Sequence, residues 1–521
     1  MLLSTAYIAA TQNRAFWSAV WKGMPAAHGP AEWMLLLSLA LALCILILLP
    51  MLVLGQRRLL KPLLMTLLMI AAVASYFMDT FGVVIDQNMI LNSLQTDPRE
   101  ARELLSVRMM LHVLLSGVLP CLLIWRVQIQ PGSPWMDACK RAGLLLGMLL
   151  ILLGLVLSHY KTVSLWAREH REVRLLVNPT LPIAAAYKQM TADFRVKDEV
   201  VQPIGTDAIR VPAASGKPRV VVMVVGETAR RSNFQLAGYA RETTPQLAAL
   251  PGVFSFNKVS SCGTATAISV PCMFSRLDRS DFSRNAARAQ ENVLDVLAKT
   301  GVDVLWRDNN SDCKGVCVRV PSEDLRRDTD SALCDDGECH DEILLKGLAE
   351  RIRTATTDQL IVLHLLGSHG PSYYKRYPQG FRHFVPDCAR DDVQTCSRES
   401  IINAYDNTIL YTDHVIANAI NILSEHGAEV EPTLLFVSDH GESLGENGLY
   451  LHGMPYALAP RDQTEVPLVV WSPALGSACT RERTQTEYSH DNIFDTLLGL
   501  FHVQSRVYRP QADMLAGCGV M

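Results

Sequence analysis

The sequence predicts a two-part chain: an α-helical membrane domain of about five helices, then an α/β domain built on a mostly parallel central sheet. Three observations lead there. Long uncharged runs crowd the first 160 residues, short apolar strands alternate with helical stretches after residue 220, and ten of the 13 cysteines lie after residue 260. The 521-residue chain is 49% apolar and only 19% charged, and its net charge of −4 gives no basic signal for nucleic acid.

The membrane elements come first. Residues 34–54, "MLLLSLALALCILILLPMLVL", carry no charge; residues 62–78 are a second such run, 109–125 a third broken only by His112, and 142–160 a fourth. A bilayer-crossing helix needs roughly 17–25 apolar residues. The opening "MLLSTAYIAATQNRAFWSAVW" is short of a span and lacks the basic head of a signal peptide, so it is expected to be the end of a first membrane helix. Basic loops stay cytoplasmic. Residues 55–62, "GQRRLLKP", and the stretch 126–141 with Arg126, Lys140 and Arg141 therefore lie inside. The loop from Asp79 and everything after residue 160 then lie outside the cytoplasm. Residues 1–160 form the membrane domain. Residues 161–215 are read as an interfacial amphipathic helix, "SLWAREHREVRLLVNP", followed by a linker, "IRVPAASGKPR".

Residues 216–521 form the third region. "VVVMVV" (220–225), "VDVLW" (302–306), "LIVLHLL" (360–366), "TLLFVS" (433–438) and "VPLVVW" (466–471) are near-continuously apolar, as strands buried on both faces are. In open α/β sheets ligands bind beyond the carboxyl ends of the strands. There the sequence places Glu227, His369 in "GSHGP", Asp439 and His440, with His452 a little later. One such residue is ordinary capping; a mixed set of carboxylates and imidazoles on one edge suits Zn²⁺. The cysteines pair locally as Cys262/Cys272, Cys313/Cys317, Cys334/Cys339 and Cys388/Cys396, with Cys479 and Cys518 a candidate long-range pair. In an oxidising compartment this pattern reads as disulfides. The first pair encloses "CGTATAISVPC", a turn into a helix whose N-terminus favours a bound phosphate. A threonine there, Thr264 or Thr266, becomes a nucleophile once a metal brings its hydroxyl to the alkoxide.

"VVGETARRSNFQLAGY", "SCGTATAISVPCMFS", "DNNSDCKGVC", "GSHGPSYYKRYP", "SDHGESLGENGLYLHGMPYALAP" and "SHDNIF" closely resemble the lipid A phosphoethanolamine transferases, relatives of the mobile colistin-resistance enzymes. The resemblance implies an alkaline-phosphatase/sulfatase-like catalytic domain in the periplasm of a multi-pass inner-membrane protein. It implies zinc on Glu227, Thr266, Asp439 and His440, and Thr266 as the nucleophile. It implies that His369 and His452 contact the transferred phosphate or a second zinc, and that Asn92, Thr96, Glu100, Ser311 and Lys314 contact the substrate headgroup. Asn92, Thr96 and Glu100 have the spacing of one helix face. The implied reaction is ping-pong: phosphatidylethanolamine donates phosphoethanolamine to Thr266, diacylglycerol leaves, and a lipid A phosphate accepts the group, conferring polymyxin resistance. The expected partners are these lipids and the membrane, with no nucleic acid and a monomeric enzyme. Alternatives are transfer to core sugars or another envelope glycan, phosphoglycerol transfer, or sulfatase-like hydrolysis. The last is disfavoured because no C-x-P-x-R nucleophile motif occurs.

Overall fold

The computed structural model describes residues 1–24, 29–96, 98–129, 133–195, 200–335 and 338–519; side chains of residues 57, 98–100, 134 and 193–195 lie outside the description. The chain divides into two compact units, Met1–Ile90 with Leu105–Thr191, and Leu91–Leu104 with Ala192–Met521.

In the first unit, among the described residues, four helices are long and apolar enough to cross a membrane: Pro30–Leu54, Arg58–Phe81, Val107–Arg126 and Trp135–Ser158. The apolar opening forms a shorter helix, Leu2–Thr11. Helices suit this composition because every backbone polar group inside hydrocarbon must be satisfied within the segment. The most apolar window of Trp135–Ser158 buries none of its residues, and Leu150, Ile151, Leu153 and Leu157 stay exposed. Polar groups are instead drawn inward. The Asn178 side chain donates to the carbonyls of Gln12 and Ala71 at 2.8 Å each, and Asn13 exchanges two hydrogen bonds with the Asn178 backbone at 2.9 Å. Two expectations are corrected. "GQRRLLKP" is almost entirely helical, because the helix starts at Arg57 and only Gly55 and Gln56 lie between helices. The single amphipathic helix expected from residue 164 is a helix ending at Glu169 and a 3-10 segment, Arg171–Leu176, with the Asn178–Pro179 bond just beyond.

The second unit is built on a seven-stranded sheet. In chain order its strands are β1 (Arg219–Gly226), β2 (Val253–Phe256), β3 (Asp303–Asp308), β4 (Ser322–Asp324), β5 (Gln359–His364), β6 (Glu431–Ser438) and β7 (Leu468–Trp471), in spatial order β2-β7-β6-β1-β5-β3-β4. The four strands β6, β1, β5 and β3 run parallel, β4 continues them, and at the other edge β7 is antiparallel to both of its neighbours, β6 and β2. The β1 residues are buried throughout. Val220, Val222 and Val224 enter one apolar core, which the long helix Arg398–Glu425 covers; Val221, Met223 and Val225 enter the other, beneath Thr266–Met273 and Ile493–Leu500. Two-sided burial is why these strands read as unbroken apolar runs. The expected linker begins with a short strand, Ile209–Arg210, which pairs with Val503–Gln504.

Candidate active site

The site forms where β6, β1, β5 and β3 end. Gly226 of β1 is in register with Ser438 of β6, so the next residues, Glu227 and Asp439, leave the sheet side by side. Both are fully buried. Thr228 then takes a positive φ of 52°, a costly conformation for a β-branched residue, and its N–H reaches Asp439 Oδ1 at 3.1 Å. Gly367, after β5, has φ +56°, and a Cβ there would lie 2.7 Å from the Glu227 carbonyl oxygen, so only glycine lets the two turns meet.

Thr266 opens the helix Thr266–Met273 and is 5% exposed. Its hydroxyl lies 3.2 and 3.0 Å from the two Glu227 oxygens and 3.3 Å from His440 Nε2. The Thr264 hydroxyl points elsewhere and donates to the Met454 carbonyl at 2.6 Å. The turn is held on several sides. Cys262 is bonded to Cys272, the Ser269 hydroxyl accepts from the Gly263 N–H, and the Cys262 N–H donates to His490 Nδ1 at 3.1 Å. His490 Nε2 meets the Ser438 carbonyl at 3.0 Å, so this imidazole ties the turn to the end of β6. Burial pushes its pKa down to about 4, which keeps it neutral.

Glu227, Asp439 and His440 offer ligand atoms that all lie within 4.8 Å of one another. Asp439 Oδ2 is buried without a hydrogen-bond partner, an expensive state unless a cation occupies the gap. Burial, and then the neighbouring Glu227 charge, raise the Asp439 pKa well above the carboxylate range, so two carboxylates this close call for a positive ion between them. His440 Nδ1 faces the Gly441 carbonyl at 2.9 Å, which fixes the tautomer with its lone pair on Nε2, facing the carboxylates. Burial, then His452, push the His440 pKa down to about 3, the neutral form a metal requires. The residues therefore fit a metal ion with oxygen and nitrogen donors.

Around this group stand the imidazoles of His369 and His452, 5.6 Å apart, with His452 4.3 Å from His440. The structure also joins Ser311 and Lys314 to Glu227. The Lys314 ammonium, 3% exposed, contacts the Ser311 hydroxyl; Ser311 meets Asn310 Oδ1 at 3.0 Å; and Asn310 Nδ2 donates to Glu227 Oε2 at 2.9 Å. Asn92 and Thr96 are not brought to Thr266 by any hydrogen bond among the described residues. The Thr96 hydroxyl turns back to the Asn92 carbonyl at 2.8 Å. One helix spans Gln87–Gln95 and a second Pro98–Glu103, so Asn92 and Glu100 lie on different helices. The side chain of Glu100 lies outside the described residues.

Residues beyond those expected from sequence complete the surroundings. Asn310 is one; it follows β3 as Glu227 follows β1, which is the signal that could have found it. Glu442 faces His452 Nδ1 at 3.4 Å. Arg376, its side chain 2% exposed, donates to the His369 carbonyl at 2.8 Å, to Glu103 at 2.9 Å and to Glu338 at 2.8 Å. Lys375 adds a second contact to Glu103 at 3.1 Å. Disulfides also join Cys313 to Cys317, Cys334 to Cys339, Cys388 to Cys396 and Cys479 to Cys518, while Cys44, Cys121 and Cys139 are free thiols.

A parallel sheet whose edge gathers carboxylates, an imidazole and a helix-opening threonine, on a chain with four helices of spanning length, defines a membrane protein with a sulfatase-type catalytic domain. The sulfatase family model matches residues 219–503, and that of the phosphoethanolamine transferases EptA/EptB matches residues 39–194. The chain belongs to the phosphoethanolamine transferases and is an enzyme of that family. It is 41% identical to phosphoethanolamine transferase EptA of Escherichia coli K12 over 470 residues, 88% of this chain and 85% of the relative. It is 40% identical to phosphatidylethanolamine transferase Mcr-1 of Escherichia coli, over 95% of this chain and 93% of the relative. The solved integral membrane lipooligosaccharide phosphoethanolamine transferase A of Neisseria meningitidis superposes with a TM-score of 0.94 at 35% identity, covering 99% of this chain and 97% of that one.

Proposed function

We propose that this enzyme moves phosphoethanolamine from phosphatidylethanolamine to a phosphate of lipid A through a covalent intermediate on Thr266, at the periplasmic face of the bacterial inner membrane. The observation that carries the reading is the Thr266 hydroxyl, within 3.3 Å of both Glu227 oxygens and His440 Nε2 at a helix N-terminus. Zinc is the metal that best matches this donor set, held by Glu227, Thr266, Asp439 and His440; when bound it lowers the hydroxyl pKa and neutralises charge on the phosphoryl oxygens.

This chain's residues do the rest. Thr266 Oγ1 bonds to the donor phosphorus as the bond to the diacylglycerol oxygen breaks. The helix N-terminus faces the negative charge that develops. His369 and His452 stand where they can hold the phosphate and give a proton to the departing oxygen. Asn92, Thr96, Glu100, Ser311 and Lys314 bind the donor headgroup. In the second half, an oxygen of the lipid A phosphate bonds to the same phosphorus, the bond to Thr266 breaks, and Oγ1 regains a proton. The acceptor ends with a diphosphate link to ethanolamine. All these residues come from one chain, which supports a monomeric enzyme. Residues 1–160, 161–215 and 216–521 would act as anchor, connection and catalytic domain, with 91–104 serving the last.

The test is expression in a polymyxin-susceptible Gram-negative host. The wild type should add phosphoethanolamine to lipid A by mass spectrometry and raise polymyxin resistance, and Thr266→Ala should do neither. Labelled core sugars with unlabelled lipid A would leave the chemistry and remove the acceptor.

A further inference from the structure

Two cavities of the catalytic unit share one wall, formed by Glu338, Cys339 and Leu366. The smaller, about 50 Å³, is lined by Asn310, Ser311 and His369 of the reactive group, and by Arg326 and Arg327. The larger, about 590 Å³, is lined by Arg102, Tyr374 and Tyr377 among other polar residues. That volume suits a small ligand, and the polar lining excludes acyl chains. The occupant is a polar headgroup.

The cations lining the two cavities divide into committed and uncommitted. Arg376 is bound to Glu103 and Glu338, Lys375 to Glu103 and Asp391, and Arg326 to Asp324. These pairs also neutralise most of the carboxylates of the larger cavity. Arg102 and Arg327 are both exposed, and among the described residues neither forms an ion pair or a side-chain hydrogen bond. A guanidinium outside any ion pair on each chamber, Arg327 lining the same chamber as His369, is a receptor for an anion at either end of a polar body. Guanidinium binds phosphate with planar, two-point geometry.

Resting on the function proposed above, we infer that this two-chamber cleft is the acceptor site and that it takes a saccharide headgroup bearing two phosphates, as lipid A does. The reacting phosphate enters the small chamber, against Arg327 and within reach of His369. The sugar lies in the large chamber beside Tyr374, an aromatic face of the kind sugars stack on, and Arg102 meets the far phosphate. The site serves the second half-reaction, so the donor half-reaction does not depend on either arginine.

The test uses the full chain in detergent micelles. Diacylglycerol release from phosphatidylethanolamine reads the first half, and transfer to bisphosphorylated or monophosphoryl lipid A reads the second. Arg102→Gln and Arg327→Gln should each raise the acceptor KM about tenfold, the worth of one charge-assisted contact, and leave the diacylglycerol burst unchanged. Arg327→Lys should recover part of the loss. The Arg102→Gln penalty should shrink to less than about twofold with monophosphoryl lipid A, which lacks the far phosphate. A wild type that labels lipid A while both variants keep its KM, or variants that lose the burst equally, overturns the acceptor site alone. A wild type that gives the burst but labels no lipid A overturns the function reading first, and this site with it.

Discussion

The two units of this molecule distribute side chains in opposite ways. In the catalytic unit the valines of β1 are buried, and the carboxylates and imidazole of the site leave the sheet at its carboxyl edge. In the membrane unit Leu150, Leu153 and Leu157 of Trp135–Ser158 face outward and the polar side chains of Asn13 and Asn178 are buried. One rule gives both patterns: each unit hides what its surroundings cannot satisfy. The difference teaches where substitutions hurt. The buried polar groups at the sheet's carboxyl edge are chemical instruments, and those of the membrane unit are fasteners.

The largest effect should come from Thr266→Ala. Transfer should fall by more than about 10³-fold, the scale of losing a nucleophile, while the melting temperature stays unchanged. Residual turnover near wild type would dissolve the contrast between instrument and fastener. Next is Asp439→Asn, which should cost roughly 10²–10³-fold. Metal analysis of the purified protein should show zinc in the wild type and a lower content in the variant; equal metal content would contradict the ligand role.

The third concerns Arg376 and Glu103. Removing one partner of a buried ion pair is strongly destabilising, up to about 3–5 kcal/mol when the other charge is stranded, and less here because Arg376 keeps Glu338. Glu103→Ala should therefore lower the denaturation midpoint of the catalytic unit more than truncating Arg353, whose pair with Glu350 is exposed and screened by solvent. The fourth is a pH effect at His490. Its folded pKa of about 4 lies below the unfolded value near 6.5. The unfolded chain therefore takes up a proton first, and stability present above pH 6.5 is lost as pH falls toward 4, by about 3 kcal/mol. Protonation of Nδ1 would break the bond from the Cys262 N–H. His490→Gln should flatten the stability profile in that window; an unchanged slope would rule His490 out as its source.

The smallest effects lie in the membrane unit. Asn178→Leu should cost about 1–2 kcal/mol, because the carbonyls of Gln12 and Ala71 lose a partner that lipid cannot replace. Leu153→Ala on the exposed face should cost under about 0.5 kcal/mol in reversible unfolding in detergent, since lipid tails are as apolar as the side chain removed. The reverse ranking would mean the outward leucines pack against something.

Much of the fold was legible because burial on both faces leaves a strong imprint: β1, β3, β5 and β6 each carry a near-continuous apolar run, and the residues after them could be read off one by one. What escaped was settled by direction in space. Thr264 and Thr266 sit two residues apart in one turn, and the directions of their hydroxyls separate them, Thr264 to the Met454 carbonyl and Thr266 to Glu227 and His440. Asn310 is an ordinary loop residue until β3 is seen to lie beside β5, and β5 beside β1. The partnership of Glu103 with Arg376 spans 273 positions, each end carried by a polar stretch of no special pattern. The break between Gln95 and Pro98 was visible in the proline, but the even spacing of Asn92, Thr96 and Glu100 suggested one helix.

Residues 91–104 lie in the chain between two membrane helices, Arg58–Phe81 and Val107–Arg126, yet they belong to the catalytic unit, where Glu103 completes the bonding of Arg376 behind His369. Such a segment sets the grammar of recombination. A crossover near residue 192 that gives this catalytic domain another relative's membrane helices also takes position 103 from that relative, and Arg376 keeps its counterion only where a carboxylate stands there. Viable hybrids should carry 91–104 along with 192–521, as an island inside the exchanged helices, so the natural modules of this enzyme are discontinuous in the gene.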